Sequence, residues 1–227
     1  NDVLVGGSGT TATTLWGYLQ SGAMLLVSLL APVLGAMADS GRKKSFLLFF
    51  ALLGTGASLA LGAPGIPVIV AMILYALGKL GFHGGNIFYD ALITDVTDEP
   101  RADRVSALGF ALGYGGSVIP FIGAIAAILL LPGTSGAISD SAARIAFVIT
   151  GVWWLLWTIP LMLTVRQRHS VPVAGNIIAN SFVRVFRTIG AMRRNRQLFL
   201  FLLAYFLYID GVDTIISMAS IFGREIG

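Results

Sequence analysis

Cysteine is missing from all 227 positions. Disulfides, thiolate metal sites and cysteine nucleophiles are therefore excluded, while the redox compartment is left open. Charge is scarce: 11% of residues are Asp, Glu, Lys or Arg, against about 25% in a soluble domain. Histidine occurs only at His83 and His169, and no HExxH, GxSxG or GxxxxGK[ST] pattern occurs. These gaps leave no ground for a metal enzyme, an intramembrane protease or a built-in ATPase. The expectation is a non-enzyme with no cofactor and no metal. No basic start, apolar centre and small-residue cleavage site opens the chain, so no signal peptide is read. The first residue is Asn1 rather than Met, and the chain is expected to be a piece of a longer protein.

Apolar side chains fill the space that charge leaves. The chain is 56% hydrophobic and its mean hydropathy is +0.84. A soluble fold of this size could not hide so much apolar surface, so the lipid bilayer is the expected solvent and partner. Six segments are long enough to cross it, at 15–37, 45–62, 67–93, 104–131, 142–164 and 198–222. All six are predicted as helices, which satisfy their own backbone in lipid. The separators 63-APGIP-67 and 132-PGTSGAISDS-141 carry turn chemistry. The remaining long gap, 165–197, is polar.

The basic residues orient the chain. Arg42, Lys43 and Lys44 lie in the gap 38–44, and Arg101 and Arg104 in 94–104. Arg166, Arg168, Arg184, Arg187, Arg193, Arg194 and Arg196 lie in 165–197. A net charge of +4 suits a nucleic-acid binder as well, but here the cations sit between apolar runs, so no nucleic acid is expected. The bias places all three gaps in the cytoplasm and both chain ends outside. Within the long gap, Phe182, Val185, Phe186, Ile189 and Met192 recur at helical spacing. This stripe fits a helix lying on the inner membrane surface or one packed on the spans.

The break at 35-GAMADSGRKK-44 resembles the loop signature of the major facilitator superfamily. It has a glycine, an aspartate four residues later, then glycine and basic residues, with Gly41 one position earlier than usual. The stretches 87-IFYDALITDVTDEPRADRVSALGFALGYGGS-117 and 200-LFLLAYFLYIDGVDTIISMASIFGREIG-227 are similar to the branch of autophagy-related vacuolar amino-acid effluxers and their bacterial relatives. The resemblance implies an all-α membrane protein with the major facilitator helix bundle, of which the six spans are helices two to seven of twelve. Residues 1–164 would be an N-terminal bundle without its first helix, 165–197 the cytoplasmic linker, and 198–227 the first helix of the C-terminal bundle. It implies a secondary transporter of small solutes, amino acids among them, in a bacterial cytoplasmic membrane. Proton coupling and membership of a larger membrane complex stay open. The alternative is a non-transporting scaffold or accessory subunit with the same fold. In 113-GYGGSVIPFIG-123, Ile119 stands where the superfamily's antiporter signature has glycine, and nothing about antiport follows.

Ionisable groups inside a span cost roughly 2.5–3.5 kcal/mol each, so each needs a reason. Lys79, His83, Asn86 and Asp90 are spaced four, three and four residues apart, on one helix face. Lys79 lies about 18 Å from the outer end of its span, near the middle of the bilayer. A polar stripe on an apolar helix fits a water-filled cavity. The bland alternatives are a lysine neutralised by burial and a histidine bonded to a neighbouring helix. Asp210 and Asp213 share a face of the last span, and Asp210 lies at a similar depth of about 18 Å from the inner end. The resemblance implies that both helices line one cavity, where Lys79 would meet Asp210 or Asp213 and compete with substrate or proton. It also implies a cytoplasmic gating loop of Gly35, Asp39, Arg42 and Lys43, with Asp90 contacting the hairpin cations. Gly109 with Gly113, and Ala107 with Ala111, are expected to form close-packing pairs, and Pro120 to bend its helix.

Overall fold

In a computed structural model, the structure describes residues 12–39, 42–131, 133, 138–169, 182–183, 185–188, 190 and 195–226. Its elements are helices: α1 (Ala12–Ala38), α2 (Lys43–Leu61), α3 (Val68–Ala91), the short α4 (Ile93–Val96), a 3₁₀ turn (Glu99–Arg101), α5 (Ala102–Leu130), α6 (Asp140–Thr164) and α7 (Arg196–Ile226). Five candidate membrane spans are long and apolar enough among the described residues, running over α1, α2, α3 with α4, the 3₁₀ turn with α5, and α6. α7 is 31 residues long and covers the sixth expected span, 198–222.

Local chemistry sets the ends of these helices. Ser139 precedes α6 in an extended conformation, and its hydroxyl accepts from the Ala142 amide at 3.1 Å. That satisfies one of the amides left open at a helix start. In the turn between α2 and α3, Gly65 has φ +71°, the left-handed region in which glycine carries no Cβ penalty. α3 follows Pro67, whose ring presets a helix-compatible φ and whose missing amide hydrogen costs nothing there.

α2 is the centre of the packing, against α3 on one side and α6 on the other; α1 packs on α3, and α5 on α6. Glycine permits the tightest contacts. A Cβ on Gly81 of α3 would stand 2.5 Å from the Gly54 amide nitrogen and 2.6 Å from its Cα. The two backbones therefore touch directly. On Gly84 a Cβ would meet the Phe50 ring at 2.6 Å, and on Gly54 it would strike the Trp154 indole. The two glycines expected to pack on α5 do not play this part among the described residues: Gly113 has no neighbour within 4 Å, and Gly109 meets only the Tyr89 hydroxyl at 3.6 Å. Helical spacing found those pairs, but the partner surface fell to the glycines of α2 and α3.

The hydrophobic core lies at one end of the bundle. Val33, Leu34, Met37 and Ala38 of α1 meet Leu47 and Phe50 of α2, with Phe88 and Leu92 at the end of α3. Phe88 is fully buried, with Phe46 at 5.2 Å and Phe50 at 5.8 Å between ring centroids. Leu161, Met162 and Val165 close this core from the α6 side. The charged residues of the basic gaps stand on it.

Two expectations on structure need correction or restriction. The hairpin turn is shorter than the gap 38–44, because α2 already begins at Lys43. Of the stripe in the long gap, Phe182, Val185 and Phe186 lie in described helical residues, with Phe182 and Phe186 exposed. Ile189 and Met192 fall outside the described residues.

Candidate functional site

The basic end of the bundle is held by a clasp of three chain segments. Lys43, in the first turn of α2, is buried. Its Nζ donates to Asp95 Oδ2 at 2.9 Å, to the Ala91 carbonyl at 3.0 Å and to Thr94 Oγ1 at 3.2 Å. Three acceptors satisfy the three hydrogens of the ammonium. Asp95 is equally well served. Its side chain is fully buried, and Oδ1 accepts from the backbone amides of Arg168 at 2.7 Å and His169 at 2.6 Å. Each of these contacts delivers a hydrogen to the carboxyl group, so the ionised form fits the site. His169 Nδ1 lies 3.4 Å from the same oxygen. Lys44 reaches the other way and donates to the carbonyls of Met162 at 2.7 Å and Val165 at 2.6 Å. It thereby satisfies carbonyls at the α6 C-terminus that have no intrahelical partner, with a favourable charge for that end.

The three basic gaps thus meet at one end of the molecule through residues 42–44, 91–95 and 165–169. The acid at their centre is Asp95, not Asp90. Asp90 is exposed and makes no ion pair among the described residues. The reason is the helical period: Leu92 keeps a helical conformation between α3 and α4, so Asp95, seven residues after Phe88 and three after Leu92, falls on the same buried face, whereas Asp90 lies on the opposite one. Of the other hairpin residues, Gly35 lies half-buried in α1, and Asp39 and Arg42 are exposed at the turn. The sequence does carry a signal for Asp95: it opens the charged gap 94–104, directly after the last apolar turn of its span.

The second cluster is the stripe on α3. Gly81, Gly84, Gly85 and Phe88 are its buried residues, with Gly81 and Gly84 facing α2. By the helical period, Lys79, His83, Asn86 and Asp90 lie on the opposite side. Lys79 and His83 are half-buried, and Asn86 and Asp90 are exposed, so the stripe opens towards the basic end. The His83 Nε2 is buried, and its ring stands edge-on to Phe82 at 5.2 Å. One turn before Lys79, Tyr75 extends the stripe. Its hydroxyl donates to the buried Gln20 of α1 at 2.9 Å, and its ring lies 4.6 Å from that of Trp16. Gln20 and Tyr75 had no place in the sequence reading, although Tyr75 falls four residues before Lys79.

Asp210 is exposed on α7, and the Asp213 side chain lies outside the described residues. Among the described residues α7 forms no extended interface with the other helices, and Asp210 forms no ion pair. Nor do the described residues hold a group of three His, Cys, Asp or Glu able to bind a metal.

The family model described as "Vacuole effluxer Atg22 like" matches residues 94–226, from Asp95 and its turn to the end of α7. The chain belongs to this Atg22-like family. It is 43% identical over 225 residues to an uncharacterized MFS-type transporter, YxiO, of Bacillus subtilis (strain 168), covering 98% of this chain and 53% of that protein. It is 26% identical over 272 residues to Autophagy-related protein 22 of Coccidioides immitis (strain RS), covering 91% of this chain and 44% of the relative. A third relative, Autophagy-related protein 22-1 of Aspergillus fumigatus, is 27% identical over 168 residues, covering 69% of this chain and 27% of its own length. No solved structure matches. The chain therefore spans about half the length of the bacterial relative and less of the fungal ones. This Atg22-like chain is a multi-pass integral membrane protein of the all-α, major facilitator type.

Proposed function

We propose that this chain forms the first bundle without its first helix, the central linker and the first helix of the second bundle of a secondary transporter that moves small solutes by rocking two helix bundles. The observation that carries the reading is Lys79. It is an ammonium near mid-bilayer depth, in line with His83 and Asn86 on a helix that is otherwise apolar. Such a group is costly in lipid and useful in a solute pathway. Asp210 and Asp213 of α7 would face the same pathway from the second bundle, so that solute or proton binding breaks a bridge between the halves. Residues 1–164 would act as one bundle, 165–197 as the linker and 198–227 as the start of the other. The basic end would face the cytoplasm of a bacterial cell. Asp39, Arg42, Lys43 and Asp95 would then form the gate on that side. Amino acids are the first solutes to test, and protons the first coupling ion. The test is solute flux into proteoliposomes holding the full-length protein, with a panel of amino acids. Uptake that responds to an imposed proton gradient supports the reading, and no flux of any member contradicts it.

A further inference from the structure

The clasp uses up some of the charge at the basic end and leaves the rest outside. Lys43 is neutralised by Asp95, and Lys44 is committed to the carbonyls of Met162 and Val165. Arg42, Arg166 and Arg168 remain, all exposed. Among the described residues none of their side chains forms an ion pair. Yet the clasp ties together the chain segments that carry them. Arg42 directly precedes Lys43, Arg166 follows the Val165 carbonyl held by Lys44, and the Arg168 amide is bonded to Asp95. The exposed acids of this end are Asp39, Asp90, Glu99 and Asp103, while Asp98 is paired with Arg101; among the described residues none of them is paired with Arg42, Arg166 or Arg168.

The depth of the patch says what it meets. α2 starts at Lys43 and α6 ends at Thr164, so Arg42 and Arg166 stand one and two residues beyond the ends of these helices and Arg168 four. Leu163, just inside the end of α6, is 79% exposed. An apolar side chain facing outward with guanidinia immediately beyond it matches an acyl chain ending in an anionic headgroup. Arginine suits that headgroup, because its planar fork binds phosphate oxygens two at a time.

We infer that Arg42, Arg166 and Arg168 form a docking site for the phosphate headgroup of an anionic membrane lipid. A headgroup there bridges the α1–α2 hairpin and the chain leaving α6. It reinforces from outside the contact that Lys43 and Asp95 make from within. A lipid bound this way favours the closed clasp, and the lipid composition of the leaflet then biases the conformation of the protein.

The test uses the full-length protein in neutral detergent, titrated with phosphatidylglycerol, phosphatidylcholine or inorganic phosphate while thermal unfolding is followed. Phosphatidylglycerol should raise Tm where the other two do not, and added salt should abolish the effect. In the variant R42Q/R166Q/R168Q the half-saturating phosphatidylglycerol concentration should rise on the order of a hundredfold, from the loss of three basic contacts. The variant R42K/R166K/R168K keeps the charges but not the forks, so its half-saturating concentration should fall between those of the wild type and the glutamine variant, which also controls for a glutamine variant that folds badly. Equal stabilisation by phosphatidylcholine or by inorganic phosphate, salt-insensitive binding, or an unchanged titration in the glutamine variant would overturn the inference.

Discussion

A buried lysine and a buried aspartate are stable only as a set. Lys43 and Asp95 lie 2.9 Å apart with side chains 6% and 0% exposed. Removing one charge leaves the other desolvated without a counter-ion. Asp95→Asn should therefore destabilise the protein by about 3–5 kcal/mol, whereas replacing both partners with apolar residues should cost much less. Thermal unfolding of the two variants in detergent checks the contrast; equal losses would mean that the pair is not coupled. Gly81 is a second sensitive position. Its Cβ would meet the Gly54 backbone at 2.5 Å, where no rotamer change can make room. Gly81→Ala should cost about 1–3 kcal/mol or more through overpacking. Gly113→Ala, with open space around it in mid-helix, should instead stabilise slightly, by about 0.5–1 kcal/mol. At this scale the sequence showed that an acid must answer the hairpin cations, but not which one. Asp90 and Asp95 both close the same apolar run. The helical period decides between them, since Asp95 shares a face with Phe88 and Leu92 and Asp90 does not, but which face is buried is settled only by the packing against α2.

Helices were the legible part. Runs of apolar residues and the turn residues between them located α1, α2, α3, α5 and α6 to within a few positions, because span length and turn chemistry are local properties. Contacts between elements were not legible, since one helix sequence offers several faces and the partner chooses among them. The pairing of α2 with α3 and α6 is an example, and so are the roles of the two lysines. Lys44 holds the end of α6, while Lys43 and Asp95 hold residues 168–169. The segment after α6 should then loosen when Asp95 is lost. Limited trypsin digestion of Asp95→Asn should cut after Arg168 several-fold faster than in the wild type, as its amide and that of His169 are released. An unchanged cleavage rate would show that the segment is held by other contacts.

For the whole molecule, the bias of cations to alternate gaps predicted that three gaps share a side, and the clasp joins the last residues of the first gap to the first residues of the other two. This chain has no cysteine of its own, so single cysteines introduced into it, in a protein without others, report their own positions. Single cysteines at Arg42, Asp98 and Arg166 should react with an impermeant maleimide only from the cytoplasmic side, and one at Gly65 only from outside. A mixed pattern would break the topology.

The central claim is that Lys79 belongs to the solute pathway. Flux measured in proteoliposomes across a pH series, for the full-length wild type and Lys79→Ala reconstituted in equal amounts, tests it most directly. The account predicts that the variant inserts and folds like the wild type but loses coupled flux at every pH. Normal transport by Lys79→Ala over the whole series would make the lysine a packing residue and contradict the account.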